Sequence, residues 1–180
     1  MKLSKFGSAP DVNLQTSTNG RTWTPYTVGD NITLANVGDK VYFKAVGSNS
    51  RMATSPSEYN KFEMTGKIAA SGNVNSLLEE NEETAKTIGL VPGQEFCYAY
   101  LFHNCTALTT APELPSNTLV YGCYAMMFYG CSSLTQCPSL LADTLAECCY
   151  MNMFTDCGAL TTAPELPAYD LIDSYYAYMF

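Results

Sequence analysis

The feature that most restricts the fold of this chain is a 26-residue repeat. Glu95–Val120 reads EFCYAYLFHNCTALTTAPELPSNTLV, Tyr121–Ala146 reads YGCYAMMFYGCSSLTQCPSLLADTLA, and Glu147–Ile172 reads ECCYMNMFTDCGALTTAPELPAYDLI. The copies align without a gap, and Asp173–Phe180 (DSYYAYMF) supplies the first eight positions of a fourth. A unit this short cannot enclose a core of its own. Tandem copies bury their apolar faces by stacking on one another.

The columns of the repeat carry this further. Cys97, Leu101, Phe102 and Cys105 follow i, i+4, i+5, i+8 spacing, which lines one face of a short helix. Cys123, Met127, Phe128 and Cys131 repeat the pattern, as do Cys149, Met153, Phe154 and Cys157. Two intervening columns vary in chemistry: Tyr100, Met126, Asn152 and Tyr178 in one, His103, Tyr129 and Thr155 in the other. Such tolerance predicts that both face outward. The following LTTAP, LTQCP and LTTAP segments read as short strands stopped by proline, which has no N–H for a ladder. Leu108, Leu134 and Leu160 are expected to point inward, with the small column Ala111, Cys137 and Ala163. Leu114 and Leu119 close the turn to the next unit. The expected architecture is a solenoid of strand and short-helix coils.

Charge divides the chain in two. Its nine basic residues, Lys2 to Lys86, all precede residue 95, where nine acidic residues balance them; eight acidic residues and no Lys or Arg follow. The net charge of −8 therefore belongs to the repeats, which disfavours nucleic acid and anionic lipid as partners. No apolar run reaches the ~18 residues of a membrane span, so membrane insertion is not expected. The opening MKLSKFGSAP has no apolar stretch behind its lysines, so no signal peptide is visible.

Upstream of the repeats the period changes to two. VNLQTS and TWTPYTV flank TNGR, where Asn19-Gly20 signals a hairpin. NITLANV, KVYFKAV and KFEMTGKIAAS read as further strands, with Trp23, Tyr26, Ile32, Leu34, Val41 and Phe43 as core candidates. Five or six short strands suggest a small β-sandwich. Asn75 or Ser76 is placed to cap a helix through SLLEENEETAKTIG. Its Glu79, Glu80, Glu82 and Glu83 lack the alternating oxygens and glycine bend of an EF-hand loop and read as a solvated face. The organisation expected is a flexible arm over 1–10, a sandwich-like β-domain over 11–70, a connecting and capping helix over 71–94, and repeats over 95–180. The fold class is α+β.

CYAMMFYGCSSLT resembles the BspA-like, type-5 leucine-rich repeats of surface proteins from host-associated bacteria and their phages, and the resemblance covers residues 95 to 180. The 26-residue length and the APELP segment depart from the commonest pattern, in which an isoleucine-proline strand is more usual. NLQTSTNGRTWTPYTVGDNITLANVGDKVYF is similar to the β-domain that often precedes such repeats. The resemblance implies an extracellular, cell-surface or virion location.

No motif for catalysis stands out. The eight cysteines contain no C-x-x-C, and their spacing matches no structural zinc pattern, so no metal or other cofactor is expected. Free cysteine packs as a small hydrophobe, and buried thiol ladders are preferred over bridges. Cys148 lies outside the inward column and is the expected reactive thiol. His103 and Cys105, two apart on a helix, would point to different sides, which leaves no nucleophile–base pair. An enzyme is therefore not expected.

Binding remains, with two faces open. One is the strand side: Thr109, Thr110 and Glu113, Thr135, Gln136 and Ser139, Thr161, Thr162 and Glu165. The other is the helix side: Tyr100, His103, Met126, Tyr129 and Tyr178. One reading is a non-catalytic adhesion or recognition protein that meets a protein or glycan at a host or cell surface. The other is a structural spacer or assembly subunit of a virion or surface layer, with no separate ligand. The aromatic ending predicts either further repeats in the natural product or docking of that end onto another subunit.

Overall fold

The computed structural model describes residues 1–166, 168 and 175–180; the junction between the third copy and the partial fourth, at 172/173, lies outside the described residues. The structure is mainly β with very little helix. Strands β1 (Lys2–Phe6), β5 (Ala53–Ser55) and β6 (Glu58–Glu63) form one antiparallel sheet in the order β1-β6-β5. Strands β2 (Leu14–Ser17), β3 (Thr24–Tyr26) and β4 (Tyr42–Ala45) form another in the order β3-β2-β4. Phe43 meets both sheets, edge-on to Tyr26 at 5.3 Å and to Phe62 at 5.2 Å. The Tyr26 hydroxyl accepts from the Leu3 amide and donates to the Asp30 carbonyl.

Several expectations are corrected here. Residues 2–6 are not part of a flexible arm: Leu3 is fully buried and β1 pairs along its length with β6. NITLANV forms no strand. Of the six core candidates, Tyr26 is buried, Ile32 and Phe43 pack half-buried on the core, and Trp23, Leu34 and Val41 are only partly covered. Trp23 instead lies beneath the Lys44 ammonium, 4.6 Å from the ring centroid. The Asn19-Gly20 hairpin does join β2 to β3. Only Gly20 takes positive φ, while the Asn19 side chain accepts from the amides of Arg21 and Thr22.

The long helix expected after Asn75 is replaced by two short pieces. A 3-10 turn, Val74–Leu77, is capped by Asn73, and α1 (Glu82–Thr87) is capped by Asn81, which accepts from the amides of Glu83 and Thr84. Asn75 is buried and ties these pieces together, donating to the carbonyls of Ala85 and Ile88.

The segments read as short helices are chains of turns. In the first copy the odd-numbered amides bond locally, Ala99 to the Phe96 carbonyl and Leu101 to Tyr98. The even-numbered amides reach the next copy 25 residues on: Phe96 to Tyr121, Tyr98 to Cys123, Tyr100 to Ala125, Phe102 to Met127 and Asn104 to Tyr129. The second copy donates to the third by the same rule, from Gly122, Tyr124, Met126, Phe128 and Gly130. Tyr150, Asn152 and Phe154 donate onward to Tyr175, Ala177 and Met179. A helix would direct every amide four residues back along its own axis. Here positive φ recurs at every fourth residue, at Phe96, Tyr100 and Asn104, then Gly122, Met126 and Gly130, then Cys148, Asn152 and Asp156. That inverts the local handedness and turns alternate amides outward.

This register stacks like residues on like. Phe62, Phe102, Phe128, Phe154 and Phe180 form one ladder of parallel rings with centroids 5.3, 5.5, 5.7 and 5.9 Å apart. Tyr98, Tyr124, Tyr150 and Tyr176 form a second, at 5.6, 5.9 and 5.6 Å. Both spacings lie in the favourable range for stacked aromatics. Regular strand is sparse among the described residues: β7 (Ile68–Ala69) pairs in parallel with β8 (Leu108–Thr110), and isolated parallel bridges join Asn73 to Glu113, Leu114 to Leu140 and Thr118 to Thr144. Leu108 and Leu134 are buried as expected, but Leu160 is half-buried and Ala163 exposed.

The stack begins in the β-domain. Met52 and Phe62 donate to Cys97 and Leu101 of the first copy, and Phe62 takes the place that Phe102 holds one level on. The cap is thus built from β5, β6, β7, the 3-10 turn and the segment after α1, where Leu90 donates to Thr118. Phe128 is fully buried within the ladder, so Phe128→Ala should destabilise by about 3–5 kcal/mol. Replacing exposed Thr135 with Ala should shift stability by no more than about 0.5 kcal/mol. Denaturant midpoints read both; equal effects would remove the ladder from the core.

Candidate binding surface

The repeat register sets two faces side by side. On the threonine side, Thr110, Glu113, Thr135, Gln136, Ser139, Thr161, Thr162 and Glu165 are all exposed. Thr109 is half-buried, its hydroxyl donating to the Ile68 carbonyl and its carbonyl accepting from Thr135. The row therefore keeps most of its hydroxyl, amide and carboxylate groups toward solvent.

The tyrosine side differs. Tyr100, His103, Met126 and Tyr129 are half-buried, and only Tyr178, at 80% exposure, stands free. Tyr100 stacks on Tyr59 at 4.5 Å, and Tyr59 stacks on Phe6 at 4.8 Å. His103 lies against Tyr100 at 5.2 Å and Tyr129 at 5.3 Å. These groups spend much of their surface on one another, so the expectation of a fully outward column is corrected. Burial lowers the His103 pKa, with Lys61 adding to the effect. The Tyr129 hydroxyl is raised by its bond to the Asp156 carboxylate.

The thiols have a packing role. Cys105, Cys131 and Cys157 donate from Sγ to the carbonyls of Phe62, Phe102 and Phe128, at 2.9, 3.1 and 3.0 Å. Each thiol thus ties one level to the phenylalanine of the level before. Burial pushes Cys97 and Cys105 up to about 12, and Cys149 and Cys157 up to about 11. Cys148, the expected reactive thiol, is only 8% exposed, and Tyr121 sits beside it. Cys137 is the most open of the eight, half-buried with its pKa raised by burial to about 11. His103 lies in the tyrosine cluster while Cys105 points at a buried carbonyl, so the two are not paired.

Three of the four glutamates near α1 take different roles. Glu79 accepts from the Asn81 amide, Glu80 from Gly47 and Gln15, and Glu83 pairs with Lys86. Among the described residues no three His, Cys, Asp or Glu side chains gather as a ligand set, and no helix is long and apolar enough to cross a membrane. A shallow, open depression of about 200 Å³ is lined by Leu160, Thr161, Thr162, Ala163 and Phe180.

The tyrosine ladder was missed in the sequence. Tyr98, Tyr124 and Tyr150 are almost completely buried, and the Tyr98 hydroxyl donates to the Asn75 side chain at 2.7 Å. Its signal was present, since tyrosine fills this column in every copy. No family model matches the chain, and neither a curated protein nor a solved structure is significantly similar to it.

Two outcomes are expected. Brief alkylation of the native protein near neutral pH should label Cys137 first, read by peptide mass; prior labelling of Cys148 would contradict the burial order. His103, with its folded pKa depressed, supports stability fully above its unfolded value of about 6.5 and loses that support as pH falls below it. His103→Gln should therefore flatten the fall in denaturant midpoint as pH drops below about 6.5, and an unchanged slope would contradict this.

Proposed function

We propose that residues 95–180 are a leucine-rich-repeat solenoid of the BspA-like, type-5 class, mounted on a small β-sandwich-like domain. Its role is non-catalytic recognition of a protein or glycan at a host or cell surface, from an extracellular, cell-surface or virion setting. The observation that carries the reading is the exposed row of Thr, Gln, Ser and Glu held at 26-residue register on the buried ladders. Fixed spacing of unspent polar groups on rigid support suits recognition, because little ordering is left to occur on binding. The tyrosine side is the weaker alternative, since its rings already pack on one another.

The test is binding of the full chain to arrayed glycans and host-surface proteins. Replacing Thr110, Glu113, Thr135, Gln136, Thr161 and Glu165 together with alanine should weaken a captured ligand about tenfold or more, the cost of a few lost polar contacts. Tyr129→Ala should change it little. Equal weakening by both would move the site. An unaffected interaction accompanied by failed particle or layer assembly would favour the spacer role.

A further inference from the structure

The carboxylates of the repeats have no cation of their own. From Glu95 onward the chain contains no Lys or Arg, and among the described residues the only ion pair that reaches the repeats is Arg51 to Glu95, at 4.0 Å. The remaining pairs lie wholly within residues 2–86. Glu113 and Glu165 therefore stand in the threonine row as uncompensated charges, at the same position of the repeat, with Ser139 on the level between them. At the spacing of paired strands, two levels put them about 10 Å apart. That is too far for the two carboxylates to share one ion.

The outward direction of the row is set inside the stack. Glu113 is exposed although its level is bridged to Asn73 on one side and to the second copy on the other. Thr135, Gln136 and Ser139 are exposed on a level bonded to the first copy and to the third.

Taking the threonine row as the recognition face, on which this step rests, we infer that its partner is a basic polypeptide segment that lies across the levels with two cationic side chains about 10 Å apart. Opposite charge draws such a segment to the row and fixes its register. Arginine suits the two ends, because its planar fork meets a carboxylate with two parallel hydrogen bonds. Thr135, Gln136 and Ser139 offer donors and acceptors to the main chain between them. A glycan fits less well, since the row has no aromatic ring to stack on a sugar face and no cation to meet an acidic sugar.

The test titrates the full chain with a peptide in which arginine recurs at every third residue between prolines. Its polyproline II helix holds successive arginines on one face about 9 Å apart. Amide shifts at Thr135, Gln136 and Ser139 read the binding, which should weaken as salt is raised from about 50 to about 300 mM. Glu113→Gln with Glu165→Gln should weaken it about tenfold. Glu82→Gln with Glu147→Gln, which removes the same charge from exposed positions off the row, should weaken it less than about twofold. The same peptide with glutamine for arginine should not bind. Equal weakening by the two double variants, indifference to salt, or shifts confined to other surfaces would overturn the inference. So would a neutral or sulfated oligosaccharide that shifts the row while the arginine peptide does not, an outcome that leaves the row as the recognition face. A row that takes up neither peptide nor sugar would remove both readings.

Discussion

The constraint on which the rest depends is the orientation of peptide units between repeats. Each inter-repeat unit bonds on both sides, by its carbonyl to the level before and its N–H to the level after. Aligned peptide dipoles reinforce one another, as they do along a helix axis, but here the axis runs across the repeats. Moving a level by one residue would present local amides where inter-repeat ones are required. Register is thus set by the backbone, and the 26-residue sequence period follows from it.

Side chains then have little freedom. With levels fixed, each ring meets the same ring above and below, and each Cys105-type thiol meets a phenylalanine carbonyl. Positive φ at every fourth residue is the local cost, on the order of 1 kcal/mol for a residue other than glycine. Gly122, Gly130, Asn104, Asn152 and Asp156 meet it with residue types suited to the left-handed region, whereas Tyr100, Met126 and Tyr178 do not. At Gly130 a β-carbon would also collide with the Asn104 side chain of the level before.

Much of the arrangement was legible. The repeat length, the inward Cys, Leu/Met and Phe columns and the β2–β3 hairpin could be read because each rests on a pattern within a single stretch of sequence. The turns were misread as helix because residues at i, i+4 and i+8 share a face in either geometry when every fourth residue inverts. The cap was illegible for another reason. Phe62 stands 40 residues before Phe102 rather than 26, so its place in the ladder comes from pairing with β1 and β5 and leaves no trace in the period. The exposure of the Thr/Glu row, Thr109 apart, is legible in the repeat, whereas the partial burial of the tyrosine side is not, because Tyr59, which covers Tyr100, comes from the other half of the chain.

The most direct measurement is of scalar couplings transmitted through hydrogen bonds in solution by NMR. The account predicts correlations from the Tyr98 amide to the Cys123 carbonyl, and from Tyr124 to Cys149. Correlations from Leu101 to Cys97 and from Phe102 to Tyr98, the four-residue pattern of an α-helix, would contradict it.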